Sequence, residues 1–199
     1  MKILLKEHQY NFLLEQIVGL NSFLLMFGMR YNLTGKNIKD LELLIKNSGC
    51  KNIQVLDIKG PLGYTLHDKL VISKKLLDSG NLSLVLFVLF HELAHSFQFK
   101  KYGDNVMYKI YDENFDLDNA VNFLVNTEIT ANRFARKKLA QFNSKNKIAS
   151  FEGLNPHIDK NQLKHQIISF RNYIKENNIK NDKKISEMVY NYIKMLTAY

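Results

Sequence analysis

Apolar residues recur at helical spacing over residues 6–20, where Phe12, Leu13, Ile17 and Leu20 form a stripe with Val18 beside it. An N-terminal helix is expected there. Residues 23–27 stay apolar and fit either an extension of that helix or a strand, and Asn32-Leu33-Thr34-Gly35 reads as a loop. The run DLELLIK at 40–46 predicts a short helix, with Asp40 as its cap and an end near Asn47-Ser48-Gly49. Residues 52–58 and 64–73 are rich in β-branched and aromatic side chains and flank Gly60-Pro61-Leu62-Gly63, which predicts a β-hairpin.

Residues 82–90 read LSLVLFVLF, too long and too uniformly apolar for a half-exposed element. They predict a buried central helix, capped by Asn81 or Ser83 after Gly80, that runs to about Tyr102 and stops at Gly103-Asp104-Asn105. A second long helix is expected over about 118–142, acidic at its start and with Arg136-Lys137-Lys138 at its end. The remaining chain holds a loop around Gly153-Leu154-Asn155-Pro156-His157 and two helical patterns, at about 160–176 and 182–199. Their stripes are Leu163, Ile167, Phe170, Ile174 and Ile185, Val189, Ile193, Leu196. The expected fold is α+β and mostly helical, with a small sheet beside the central helix. The length of 199 residues suits a single domain, with a core at about 50–142 and a helical extension at about 143–199.

Charge adds one asymmetry. Residues 1–135 carry 15 Lys+Arg against 14 Asp+Glu, whereas 136–199 carry 13 against 5, so nearly all of the net +9 lies in the tail. Such a tail suits a nucleic acid, an anionic membrane surface or an acidic partner, but it is rich in Lys and Asn without interleaved Arg and aromatics, the ordinary look of solvated helix faces. A single cysteine, Cys50, excludes an intrachain disulfide and suits a reducing compartment. The N-terminus lacks a secretory apolar core, and the apolar runs fall short of the ~18 residues of a membrane span, so a cytoplasmic protein is expected.

The chemistry concentrates at Phe90-His91-Glu92-Leu93-Ala94-His95. At ~100° per residue, His91 and His95 stand one turn apart on one helix face, where both rings can reach one ion at about 2.0–2.1 Å. Glu92 points about a quarter-turn away, poorly placed as a ligand beside them but well placed to act as general base on a water at that ion. An open catalytic site needs one more protein ligand. In the second long helix, Asn126-Thr127-Glu128-Ile129-Thr130-Ala131-Asn132-Arg133-Phe134-Ala135, Glu128 is the best candidate. Asn132 falls on the same face, four residues on, in reach of a ligand histidine, and Ala131 and Ala135 let two helices lie close. The plainer alternative for Glu128 is a surface pair with Arg133.

HELAH followed some thirty residues later by E-I-T-A-N-R-F-A resembles the gluzincin metallopeptidases, and in size and spacing the small ImmA/IrrE-like group among them. That resemblance implies one zinc ion held by His91, His95 and Glu128, with Glu92 as general base, a minimal helix–strand–helix core, and a peptide of an intracellular regulatory protein as substrate. Asn132 stands where some members carry an acidic residue. In a zinc peptidase, a strand beside the active helix can receive an extended peptide, and Lys69, Leu70, Val71, Ile72 and Ser73 are the candidates for that edge. The expected function is zinc-dependent peptide hydrolysis. The alternative is a catalytically silent zinc scaffold that contacts nucleic acid or protein through the basic tail; it would need the ligands but not Glu92. Tyr102, Tyr108, Tyr111, His157 and His165 are all candidates to stabilise an oxyanion, and the sequence does not choose among them.

Overall fold

The computed structural model describes residues 19–58, 62–66, 68–102, 112, 114–146 and 159–178. The helix expected over 6–20 falls outside these residues except at its end, as do Gly60 and Pro61, the stop at 103–105, Tyr108, Tyr111, the loop at 153–157 and the last helical pattern.

The apolar stretch after residue 20 is helical. In α1 (Leu20–Arg30), Phe23 and Phe27 stack at 5.3 Å, and Tyr31 extends the ridge to donate its hydroxyl proton to the Leu77 carbonyl. The next helix, α2 (Gly35–Ser48), starts a turn and a half before the expected Asp40 cap, because the Thr34 hydroxyl accepts the Asn37 N–H. It ends where expected, at Gly49, whose φ of +88° is left-handed and favours glycine.

The strands correct the expected hairpin. β1 (Asn52–Leu56) does not pair with the segment after the Gly-Pro turn in antiparallel fashion; it runs parallel to β3 (Lys69–Ser73), with Asn52 opposite Lys69 and Leu56 opposite Ser73. The hairpin lies within the second segment, between β2 (Gly63–Leu66) and β3, with Gly63 opposite Ile72 and Leu66 opposite Lys69. The sheet order is therefore β1-β3-β2. β3 is buried from Leu70 to Ser73, the continuous pattern of a central strand, whereas β1 alternates. This overturns Lys69, Leu70, Val71, Ile72 and Ser73 as a substrate-binding edge: both sides of β3 are already paired, and an added strand would have to lie outside β1 or β2.

A short helix, α3 (Lys74–Asp78), leads to α4 (Leu82–Tyr102), capped by Asn81, whose side-chain oxygen accepts the Leu84 N–H at 3.0 Å. α4 is long and apolar enough to cross a membrane by length and composition, yet Val85 to Ser96 are buried without a break inside the fold. Around it pack α2, the sheet and α5 (Leu117–Asn146), and α1 joins the same core through α2 and β1. α5 follows the expected span of about 118–142 and runs four residues further, to Asn146; within it Leu139 and Phe142 are buried in the core, and Phe142 meets the Phe90 ring at 6.2 Å. The core also reaches back beyond the expected boundary at 50: Phe23, Phe27, Leu41 and Ile45 belong to the same cluster as Phe87 and Phe90. α6 (Lys160–Glu176), capped by Asp159, matches the expected tail helix and buries Leu163, Ile167 and Phe170 against Ala120, Val121 and Leu124 of α5. The α+β architecture, mostly helical with a small sheet, is as expected.

Candidate metal centre

α4 and α5 make the most extensive helix contact among the described residues, and small side chains permit it: Ala131 and Ala135 are fully buried. The Phe97 and Phe134 rings meet at 5.6 Å on one flank of this contact. Its consequence is that three side chains from two helices converge. His95 Nε2 lies 3.0 Å from His91 Nε2, Glu128 Oε2 lies 3.3 Å from His91 Nε2, and Glu128 Oε1 lies 3.2 Å from His95 Nε2. Glu128 therefore sits between the histidines rather than in a surface pair with Arg133, which is exposed. The imidazoles are buried, and the carboxylate, 16% exposed, is the donor nearest solvent.

The donor chemistry fits a divalent cation. Three corners of a tetrahedron with bonds of about 2.0–2.1 Å are about 3.3–3.4 Å apart, close to the spacings found here. The protons point the same way. Gln98 donates its amide N–H to the Thr127 carbonyl at 3.0 Å, which turns its oxygen toward His95 Nδ1 at 2.8 Å. His95 therefore donates from Nδ1 and, when neutral, presents a lone pair at Nε2. The Asn132 oxygen accepts from His91 Nδ1 at 3.1 Å, with the same effect on that ring. Two lone pairs and a carboxylate facing one another repel unless positive charge lies among them. His91, His95 and Glu128 are thus a group that can hold a metal ion. When the rings instead carry a second proton in the metal-free protein, burial alone would raise the pKa of Glu128, but the charge of His95 and hydrogen bonds from both imidazolium rings outweigh it and hold the carboxyl well below the ordinary carboxylate range.

Glu92 is buried and is not one of the converging donors. It faces β2 instead, where the hydroxyl of Thr65 lies 2.7 Å from its backbone carbonyl and 3.1 Å from Oε2. Gly63, also on β2, makes room for it: a Cβ there would stand 3.4 Å from Glu92 Cγ, 3.1 Å from Val88 Cγ1 and 3.0 Å from the Val71 carbonyl oxygen. So the strand that holds Glu92 is β2, and the helix that supplies the third donor is α5.

The pattern of residues pointed to His91, His95, Glu92, Glu128 and Asn132 but missed Thr65 and Gln98. Gln98 carried a usable signal, since three residues beyond His95 is one helical turn away. Thr65 carried none, because its partner is 27 residues distant. Of the described oxyanion candidates, Tyr102 sets its ring 6.2 Å from Phe123, and His165 is exposed on α6. Comparison with protein-family models, curated proteins and solved structures finds no match to this chain.

Proposed function

We propose that this chain is a zinc-dependent peptidase that hydrolyses a peptide bond of an intracellular polypeptide. The observation that carries it is the division of labour around the HELAH turn: three donors converge from α4 and α5 at mutual distances of 3.0–3.3 Å, while a second acidic group, Glu92, is kept out of the set and held from the other side. A pure scaffold needs the first arrangement and has no use for the second.

His91, His95 and Glu128 would hold the ion, a set of two neutral nitrogens and one carboxylate that leaves one positive charge uncompensated. Bound zinc supplies Lewis-acid polarisation of water and of the scissile carbonyl. The chain's own residues do the rest. Asn132 and Gln98 keep the Nδ1 protons of the two rings turned away from the ion. Glu92 accepts a proton at its carboxylate from the attacking water and returns it to the leaving amine. Thr65 limits the rotation of that carboxylate, so the base is oriented before substrate arrives. Resemblance of the two motifs to the gluzincins supports the same assignment.

The test is to measure zinc in purified wild type and in Glu92→Gln, then to expose both to a complex peptide pool read by mass spectrometry. About one equivalent in both, with cleavage by wild type alone, is the expected result. Zinc in both with cleavage in neither would favour the scaffold, and zinc in neither would end the assignment of the site.

A further inference from the structure

We propose that Gln98, outside the donor set, builds the metal centre from both sides: one amide fixes the tautomer of His95 and, through the Thr127 carbonyl, pins the turn of α5 that delivers Glu128. It rests on the zinc site inferred above and concerns how that site is assembled.

The argument starts from the amide's two ends. A carboxamide offers donors on nitrogen and an acceptor on oxygen, and here each end has one defined partner. The nitrogen meets the Thr127 carbonyl at 3.0 Å, and the oxygen meets His95 Nδ1 at 2.8 Å. The Thr127 carbonyl can only accept, so it takes the nitrogen end of the amide and leaves the oxygen against His95 Nδ1, where a bond forms only if that nitrogen carries the proton. That orientation places the ring proton on Nδ1. In free histidine a neutral ring prefers its proton on Nε2, so an acceptor at Nδ1 is needed to leave Nε2 open as a ligand. His91 obtains its acceptor from α5, through Asn132. For His95 it comes from its own helix, and the same side chain then reaches across.

The second bond has a geometric consequence. Thr127 immediately precedes Glu128, whose two oxygens stand 3.2 and 3.3 Å from the two histidines. A slide of α5 along α4 by one residue's rise, about 1.5 Å, would take the carboxylate out of that position. It would also break the link to the Thr127 carbonyl. Gln98 therefore couples the orientation of the second ligand to the position of the third. A merely structural tie between the helices would do the latter and leave the tautomer untouched.

Two measurements on the full chain separate these roles. Long-range ¹H–¹⁵N spectra of the histidine rings in zinc-free wild type, recorded at a pH alkaline enough to make the rings neutral, are expected to show His95 as the Nδ1–H tautomer; an Nε2–H tautomer overturns the proposal. In Gln98→Met, which keeps the length and loses both hydrogen bonds, zinc affinity measured by chelator competition is expected to fall about 10–100-fold, the usual cost of losing an outer partner of a ligand. The circular dichroism and melting of the zinc-free variant serve as the folding control. Wild-type affinity in a folded Gln98→Met overturns the proposal and leaves the zinc site standing, whereas a wild type that binds no zinc overturns both. Should Gln98→Met not fold, the wild-type tautomer alone decides.

Discussion

Thr65→Val is the sharpest probe of how Glu92 is held. The two side chains have nearly the same shape, Thr65 is fully buried, and the substitution removes a single O–H. That proton faces two acceptors. The 2.7 Å distance to the Glu92 carbonyl is ordinary for O–H···O, whereas 3.1 Å to Oε2 is longer than the 2.5–2.7 Å of a strong charge-assisted bond. The carbonyl thus takes the larger share of the proton. Losing it costs about 1 kcal/mol, and the weakened contact with the carboxylate costs about 1 kcal/mol more, so metal-free Thr65→Val should be less stable by about 2 kcal/mol. A double-mutant cycle with Glu92→Met isolates the second part, since the backbone carbonyl is lost equally in both backgrounds and cancels. Urea unfolding of the four zinc-free proteins at pH 7 should give a coupling of about 1 kcal/mol. On the proposed reaction the same quantity should appear as a roughly fivefold loss in kcat at unchanged KM and unchanged zinc content. A coupling within about 0.3 kcal/mol of zero, the scatter of such cycles, would refute the claim that the hydroxyl holds the carboxylate.

Glu128 predicts an acid limb. Its carboxyl is held below the ordinary range, so its contribution to the zinc-free fold is complete above the unfolded pKa of about 4.3 and is lost as pH falls through the lower folded value. Acid titration followed by circular dichroism should show a shallower loss of stability in Glu128→Gln, and zinc affinity in that variant should fall by more than the ~10–100-fold cost of an outer partner. An acid limb equal to that of wild type would contradict the ion pairing. Gly63→Ala should destabilise by about 1–3 kcal/mol, because the added methyl meets the Val71 carbonyl at 3.0 Å and neither the sheet nor α4 can yield freely. Thermal melting tests this, and an unchanged midpoint would mean that β2 does not press on α4. Cys50 is buried and its thiol pushed up to about 11, chiefly by desolvation, so in folded protein at pH 7.5 it should react with a disulfide reagent only as fast as the chain opens. Immediate reaction would place it at the surface.

Where an interaction joins residues a turn apart, the sequence was enough. The span of α4 from Leu82 to Tyr102 and its pair of histidines followed from an unbroken apolar run and an i,i+4 spacing. The tail helix Lys160–Glu176 followed from its stripe. Even Glu128 and Asn132 were within reach, because a helix face can be read without knowing what it faces. One departure was local: Asp40 has the residue type of a cap, but Thr34 takes the role because its hydroxyl meets the orphan N–H of Asn37 three residues on. Tertiary structure decided the rest, where partners lie far apart in the chain. Residues 64–73 have the pattern of one strand; they fold into two, and β1 then adds to the far side in parallel, which makes β3 central and removes it as an edge. Strand order is invisible to a period-2 pattern, which gives the face of each residue and not its neighbour. The hydroxyl of Thr65 and the carbonyl of Thr127 acquire their meaning only when β2 and α5 are laid on either side of α4. Local spacing determined which side chains can act together, and long-range packing determined which groups hold them still.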